Sequence, residues 1–409
     1  MSTRSDSFWI GGATTWGGHP AKGVRTLVFN DEGNASLSEP VWVGENPAFI
    51  AQEKDLPLVV SHEADPGSLS AFDSPESIAT SSNPGASTHA GTGSSGPTFI
   101  AITRFPSGKD AVLAANYAGG ALSVNPLSAE GVLEPTLVVQ YQGSGPDPDR
   151  QASPHPHQVV VAEDLGVALV PDLGMDCIHV HNLEDLEAGR PNHRDVAMPA
   201  GSGPRHLALS GSIALVACEL DGLVRAVNVE NGAPITDAAP WAKGLDPLVN
   251  HPSAITLTKG GHVLVGNRGP DSIGVLKWDP LVETLTYLDQ FPAGGAHPRD
   301  FHLNADQDLL VVANLDGDNL AVFSFDDVSG TLELLQTLET QGTGPGPEPQ
   351  WSPMLHRSSP RDPATTQAAT GGGSRARART RGTGGTAGSA PSPTLPAPTG
   401  CCRTRRGPV

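Results

Sequence analysis

The sequence predicts an all-β fold, a seven-bladed β-propeller, and three observations carry that prediction. A unit of about fifty residues returns along the chain, opened each time by a proline. The prolines are Pro47, Pro97, Pro156, Pro204, Pro252 and Pro298, at spacings of 50, 59, 48, 48 and 46 residues. Each unit reads as an apolar strand, a polar turn, a second apolar strand ending in a polar residue, and a third strand. No segment offers a long apolar stripe at helical spacing with caps at both ends. Three to four strands per unit make a propeller blade rather than a solenoid coil, whose repeats are usually shorter, and radial closure removes long exposed sheet edges.

The elements follow in chain order. Phe8 to Gly33, FWIGGATTWGGHPAKGVRTLVFNDEG, supplies two strands, Phe8–Ile10 and Gly23–Phe29, with no proline-led strand before them. Its blade must therefore borrow an innermost strand from the other end of the chain. Six proline-led units come next. The last two show the pattern best: HPSAITLTKGGHVLVGNRGPDSIGVLKW from His251 to Trp278, and HPRDFHLNADQDLLVVANLDGDNLAVFSF from His297 to Phe325. Val263–Val265, Leu309–Ala313 and Leu320–Phe325 are short, rich in Val, Leu and aromatics, and bounded by Gly, Asp and Asn, as strands are. Asn231–Gly232 and Gly317–Asp318 are turn formers because both pairs tolerate positive φ. Thr331–Leu338, TLELLQTL, alternates at period two and is expected as the outer strand of the sixth unit.

The pattern stops near Gly342. Residues 1–341 are expected to form the propeller, and 342–409 a Gly/Pro/Arg-rich tail. Between 351 and 409 there are nine Arg, no Lys and one acid, a net of about +8, against −27 for the first 350 residues. Such a composition buries too little surface to offset chain entropy, so the tail is expected to be disordered. It reads either as a basic arm for nucleic acid or an acidic partner, or more plainly as a frameshift product of a GC-rich gene. The stretch GTGPGP leaves few amides for a ladder. The shared blade is thus expected to be incomplete at its inner position, or filled poorly by a segment such as Glu348–Pro353.

A net charge of −19 argues against nucleic acid or an anionic membrane as partner of most of the surface. The N-terminus lacks the basic patch and apolar core of a signal peptide, and no run approaches the roughly 18 apolar residues of a span. Of the four cysteines, Cys177, Cys218, Cys401 and Cys402, none has a metal-ligand spacing, so neither metal nor cofactor is expected. Isolated thiols in the β region fit a reducing cytoplasm. A monomer is expected.

In a blade the first strand is innermost and pairs antiparallel with the second, so the start of one and the end of the other meet at one sheet edge. Residues after each opening proline and after each second strand should converge on one mouth of the channel. The openings carry Ala48, Thr98, His157, Arg205 and His206, Ser253, and Arg299; His155, His251 and His297 precede three of the prolines. The exits carry His62 and Glu63, Asn116 and Tyr117, Asp172, Cys218 and Glu219, Asn267 and Arg268, and Asn314. An Asn or Asp after a strand most often caps a turn, and a lone Arg or Glu is usually solvated. Yet His157, Arg205, Glu219, Arg268 and Arg299 fall on one half of the ring of a strongly acidic chain. That gathering points to an anionic ligand held by forked guanidinium contacts. His155, His206, His297, Arg299, Asp172, Asn267 and Asn314 are the candidate substrate-binding residues around it.

The phrases HPHQVV, PDLG, GSGPRHLAL, NRGPDSI and GGAHPRDFHLN resemble the lactonase family of seven-bladed propellers, over about Phe8 to Leu338. Its best-known activity is 6-phosphogluconolactonase, and it also contains the fungal carboxymuconate-lactonising enzyme. The family's proposed functional residues fall here on His157, Arg205, Glu219 and Arg268, the same group. Two departures stand out: Cys218 replaces the usual Asn before Glu219, and the family's closing C-terminal strand is not recognisable after Gly342. The resemblance implies hydrolysis of an anionic sugar lactone, most specifically 6-phosphoglucono-1,5-lactone in the pentose phosphate pathway. The chain shows no G-x-S-x-G elbow. What remains is general-base attack of water, with His157 or Glu219 as base and Arg205 and Arg268 on the oxyanion or the phosphate. Two other readings stay open: lactonisation of a muconate-like dicarboxylate, and a non-catalytic interaction platform.

Overall fold

The pairing of strands follows the repeat. The computed structural model describes residues 7–12, 14–15, 22–30, 32–73, 86–242 and 250–340, and the backbone of 354–357. Blade 1 is ordered, from the channel outwards, Pro47–Ala51, Leu58–His62, Ser68–Phe72 and Thr88–Gly91. Blade 2 has Pro97–Arg104, Asp110–Asn116, Ala121–Ser128 and Leu137–Gln140; blade 3 has Val160–Ala162, Val167–Asp172, Cys177–Asn182 and Arg194–Ala197. Blades 4, 5 and 6 begin at Pro204–Ser210, Pro252–Leu257 and Pro298–Leu303, and blade 6 ends in Thr331–Glu339, the outer strand expected from its alternation. Blade 7 joins the two ends of the described chain: Met354–Arg357, Ser7–Gly11, Arg25–Phe29 and Ala35–Leu37.

The second strands are the most apolar because each is covered on both faces; Leu309–Asn314 is buried throughout. Every seam between neighbouring blades holds one apolar cluster. Phe8, Ile10 and Leu27 of blade 7 pack on Leu309, Val311 and Val322 of blade 6. On its other face Trp9, Val24 and Val41 pack on Ile50, Leu58 and Phe72 of blade 1. The ring is therefore closed by the same kind of contact that holds each blade to the next.

Closure corrects one expectation. The inner place of blade 7 is taken by Met354–Arg357, antiparallel to Phe8–Gly11 with Phe8 opposite Arg357 and Gly11 opposite Met354. Pro353 stands directly before Met354, as a proline opens the other units, but four residues carry too little apolar pattern to be recognised in the sequence. The strand lies past residue 341, where the sequence pattern ends. Glu348–Pro353 and the rest of the tail lie outside the described residues. The structure also contains a short helix, Leu183–Glu187, capped by the Asn182 side chain accepting from the Glu184 amide. Five residues are too few to show helical periodicity in a sequence.

Two local rules position the mouth. The opening proline pairs with the last residue of the second strand, and the register then slips by one: Pro97 opposite Asn116 but Phe99 opposite Ala115, Pro204 opposite Cys218 but His206 opposite Ala217, Pro298 opposite Asn314 but Asp300 opposite Ala313. Proline has no amide to donate, so a bulge follows it naturally, and the extra residue is freed from the ladder. Those extra residues are Thr98, Arg205 and Arg299. The second rule concerns the residue after the exit, whose amide donates to the carbonyl just before the proline. Glu63 donates to Asn46, Tyr117 to Gly96 and Glu219 to Gly203, at 3.0, 2.8 and 2.7 Å.

Candidate active site

Glu219 is the hub. Its Oε2 lies 2.6 Å from Arg268 Nη2 and 3.1 Å from Arg205 Nε, and its Oε1 accepts from Arg150 Nη2 at 2.6 Å. Arg268 is fixed further by Nε donating to the His251 carbonyl at 2.8 Å. His251 Nδ1 in turn donates to the Glu219 carbonyl at 3.2 Å. Burial opposes the Glu219 charge, but Arg268, Arg205 and Arg150 outweigh it and hold its pKa well below the usual carboxylate range.

Arg205 departs from the picture of a solvated mouth cation: it is 1 % exposed and among the largest fully buried side chains. Its Nε approach to Glu219 lacks hydrogen-bond alignment, and among the described residues neither Nε nor Nη1 has a hydrogen-bond partner. Burial and the charges of Arg268 and Arg299 press on its pKa, but a guanidinium starts too high to lose its proton at neutral pH. A buried cation with unused donors is the feature an anionic or strongly polarised ligand would satisfy.

Beside this charged group stand neutral aromatic side chains. His157 is 4 % exposed, its ring edge-on to Tyr117 at 5.4 Å and to His206 at 5.1 Å between centroids. Burial first, then Arg205 and Arg299, push the His157 pKa well below the ordinary 6.5; burial, Arg205 and His157 do the same to His206. Both imidazoles are therefore neutral near pH 7. His157 Nδ1 and His206 Nε2 are buried without a hydrogen-bond partner among the described residues. Phe99 meets His206 edge-on at 5.6 Å and Phe49 at 3.9 Å, which makes an apolar floor beneath the imidazoles. Arg299 comes from the next bulge but one, and its charge reaches Glu63, whose carboxyl burial lifts above the ordinary 4.5 against the pull of Arg299 and Thr98.

The remaining candidates divide. His155 stacks on Tyr117 at 4.6 Å and donates to its carbonyl at 3.0 Å, which puts it at the rim. His297 adopts φ +60°, a left-handed conformation uncommon outside glycine, and pairs with Asp316 at 3.0 Å. Asp172, Asn267 and Asn314 are committed within their blades. Asp172 Oδ1 accepts amides of His155, Gly174 and Met175; Asn267 donates to the Pro240 carbonyl and Asn314 to that of Ala293. The two rules explain the division: exit residues turn into the blade, and the residues after them meet the mouth.

Arg150 has no place among the sequence candidates. It sits in the loop before Pro156, outside the repeat, and the signal that could have found it is the 59-residue spacing. An insertion that long between blades, carrying DPDR, is where a non-repeated functional side chain belongs. Glu63 and Tyr117 stand at ring positions, but a lone acid and a lone phenol there carried no weight without their neighbours.

The family model described as "Lactonase, 7-bladed beta-propeller" matches residues 7–359, and the chain belongs to that family. It is 28% identical over 346 residues to a 6-phosphogluconolactonase of Bacillus subtilis, covering 80% of this chain and 94% of that protein. An uncharacterised Lactococcus lactis protein, YwcC, is 29% identical over 327 residues, 77% of this chain and 92% of that one. Among solved structures, a putative 6-phosphogluconolactonase from Bacteroides fragilis superposes with TM-score 0.73 at 25% identity, covering 88% of this chain and 99% of that one. The periplasmic gluconolactonase of Pseudomonas aeruginosa gives TM-score 0.71 at 26% identity, covering 87% and 99%. Among the described residues, no helix is long and apolar enough to cross a membrane.

Proposed function

We propose that this lactonase hydrolyses 6-phosphoglucono-1,5-lactone to the open-chain acid, with the Arg205–His157 pair at the reacting carbonyl. The observation that carries the reading is the buried, incompletely satisfied Arg205 guanidinium beside a neutral imidazole. Arg205 donates to the carbonyl oxygen and stabilises the oxyanion that forms as water adds. His157 takes the proton of that water and returns it to the ring oxygen as the C–O bond breaks. Glu219 is a poor base, because three guanidiniums stabilise its charged form; it holds Arg205 and Arg268 in place as a positioning residue. Arg268 and Arg299 take the phosphate. The lactone is intrinsically reactive, so electrostatic and proton-transfer contributions of ordinary size suffice.

The buried free thiols Cys177 and Cys218 suit a reducing compartment, and a cytoplasmic enzyme is part of the reading. The test is a comparison of 6-phosphoglucono-1,5-lactone with glucono-1,5-lactone. Arg299→Ala should raise KM for the phosphorylated substrate and leave the unphosphorylated one nearly unchanged. Equal effects on both would remove the phosphate role, and cyclisation of a muconate instead would favour the lactonising alternative.

A further inference from the structure

One polar cluster lies away from the mouth, on the face of blade 3 that meets blade 2. The third strand reads Cys177-Ile-His179-Val-His181-Asn, so Cys177, His179 and His181 share one face at period two, while Ile178 and Val180 pack towards blade 4. The outer strand pairs Asp195 directly opposite His179. One ligand atom each from Cys177, His179 and Asp195 lie within 4.8 Å of one another.

We propose that Cys177, His179 and Asp195 form a binding site for a borderline divalent metal ion, zinc above all. Thiolate, imidazole and carboxylate together are zinc's ligand set. Bonds of roughly 2.0–2.3 Å place neighbouring ligand atoms of a tetrahedron about 3.3–3.8 Å apart. Cys177 Sγ is 3.8 Å from both His179 Nδ1 and Nε2, so the spacing is met and a small turn of the thiol aims it at an ion on Nδ1. His179 Nδ1 and Asp195 Oδ1, at 2.7 Å, need only part by about half an ångström, and Asp195, 44% exposed, has room to move. His193, with Nε2 3.7 Å from Asp195 Oδ1, lies beside Asp195 but outside the three-residue group, so a water would complete the tetrahedron.

The surroundings are those of a supported ligand. His179 Nε2 faces Asp172 Oδ2 at 3.3 Å, which leaves Nδ1 for the metal, in the manner of an outer carboxylate orienting a ligating histidine. Tyr141 stacks on the same ring at 3.8 Å. Metal binding replaces the His179 proton and the Cys177 thiol proton, both released to solvent. Asp172, committed here and to the backbone, has its explanation in this site rather than in the substrate's.

Cobalt(II) is the probe, titrated into the full chain. One equivalent should bind and develop the thiolate-to-cobalt charge-transfer absorption, which zinc should then abolish. The band should survive Cys401→Ser with Cys402→Ser, and vanish in Cys177→Ser. Asp195→Asn, an exposed change with little bearing on folding, should weaken binding at least as much as the roughly 10–100-fold that loss of a supporting residue costs. Metal-free melting near wild type would certify both variants as folded; if Cys177→Ser fails that check, Asp195→Asn alone decides. A band retained in Cys177→Ser, an unchanged affinity in Asp195→Asn, or no binding by the wild-type chain would overturn the proposal.

Discussion

Glu219 illustrates how one buried carboxylate can organise three guanidiniums. It neutralises part of a charge gathering that would otherwise be untenable: Arg205 and Arg268, at 1% and 9% side-chain exposure, both lean on its Oε2. Glu219→Gln should therefore destabilise the fold by roughly 3–5 kcal/mol, the range for removing one partner of a buried ion pair, seen as a lower urea midpoint at unchanged slope. A midpoint within error of wild type would mean that the arginines hold without it. In the proposed mechanism His157 sets the pH behaviour. Its pKa is depressed by burial and by Arg205, so the neutral base persists to lower pH than an ordinary histidine allows. The acid limb of kcat/KM should lie clearly below pH 6.5, and a limb at or above that value would exclude His157 in the free enzyme as the base. His157, Arg205, Glu219 and Arg268 were legible in the sequence because the repeat says which positions converge. Arg150 was not, since it lies off the repeat, and neither was the burial of Arg205, which depends on how tightly the neighbouring blades close over it.

At the level of elements the repeat was informative wherever hydrophobicity does the work. The second strands and the outer strand Thr331–Glu339 follow from apolar runs and period-two alternation. The bulges after Pro97, Pro204 and Pro298 were not legible, because they depend on register, yet they are what free Thr98, Arg205 and Arg299 from the ladders. The closing strand Met354–Arg357 was missed because four residues, even behind Pro353, carry too little apolar pattern to stand out. Two truncations isolate its contribution. A chain ending at Asp362 keeps the strand, one ending at Pro353 lacks it, and the second should melt several degrees below the first. Equal melting temperatures would show that Met354–Arg357 does not hold the ring.

The whole molecule should be acid-labile before its carboxylates titrate. His62, His157, His181 and His206 are buried with pKa values pushed down, chiefly by burial, that of His181 to about 3. Between those values and 6.5 the unfolded chain binds protons that the folded one refuses, so stability falls as pH drops through that window. Urea midpoints measured downwards from pH 7 should decline already by pH 5.5–6, a window set by the ordinary histidine value. His179 acts in the opposite sense, since its contribution is present below 6.5 and lost only as pH rises towards 11. Seven apolar seams make the ring, and its asymmetry of charge makes the site; the central claim is that this asymmetry hydrolyses a sugar lactone. The most direct test is the rate of 6-phosphoglucono-1,5-lactone hydrolysis, above the spontaneous rate, by the wild-type chain and by Arg205→Ala with its folding checked. The wild type should turn the lactone over, and the variant should lose about 2–4 kcal/mol of transition-state stabilisation, of which Arg205→Lys recovers only part. No turnover by folded wild type, or full activity in Arg205→Ala, would contradict the assignment.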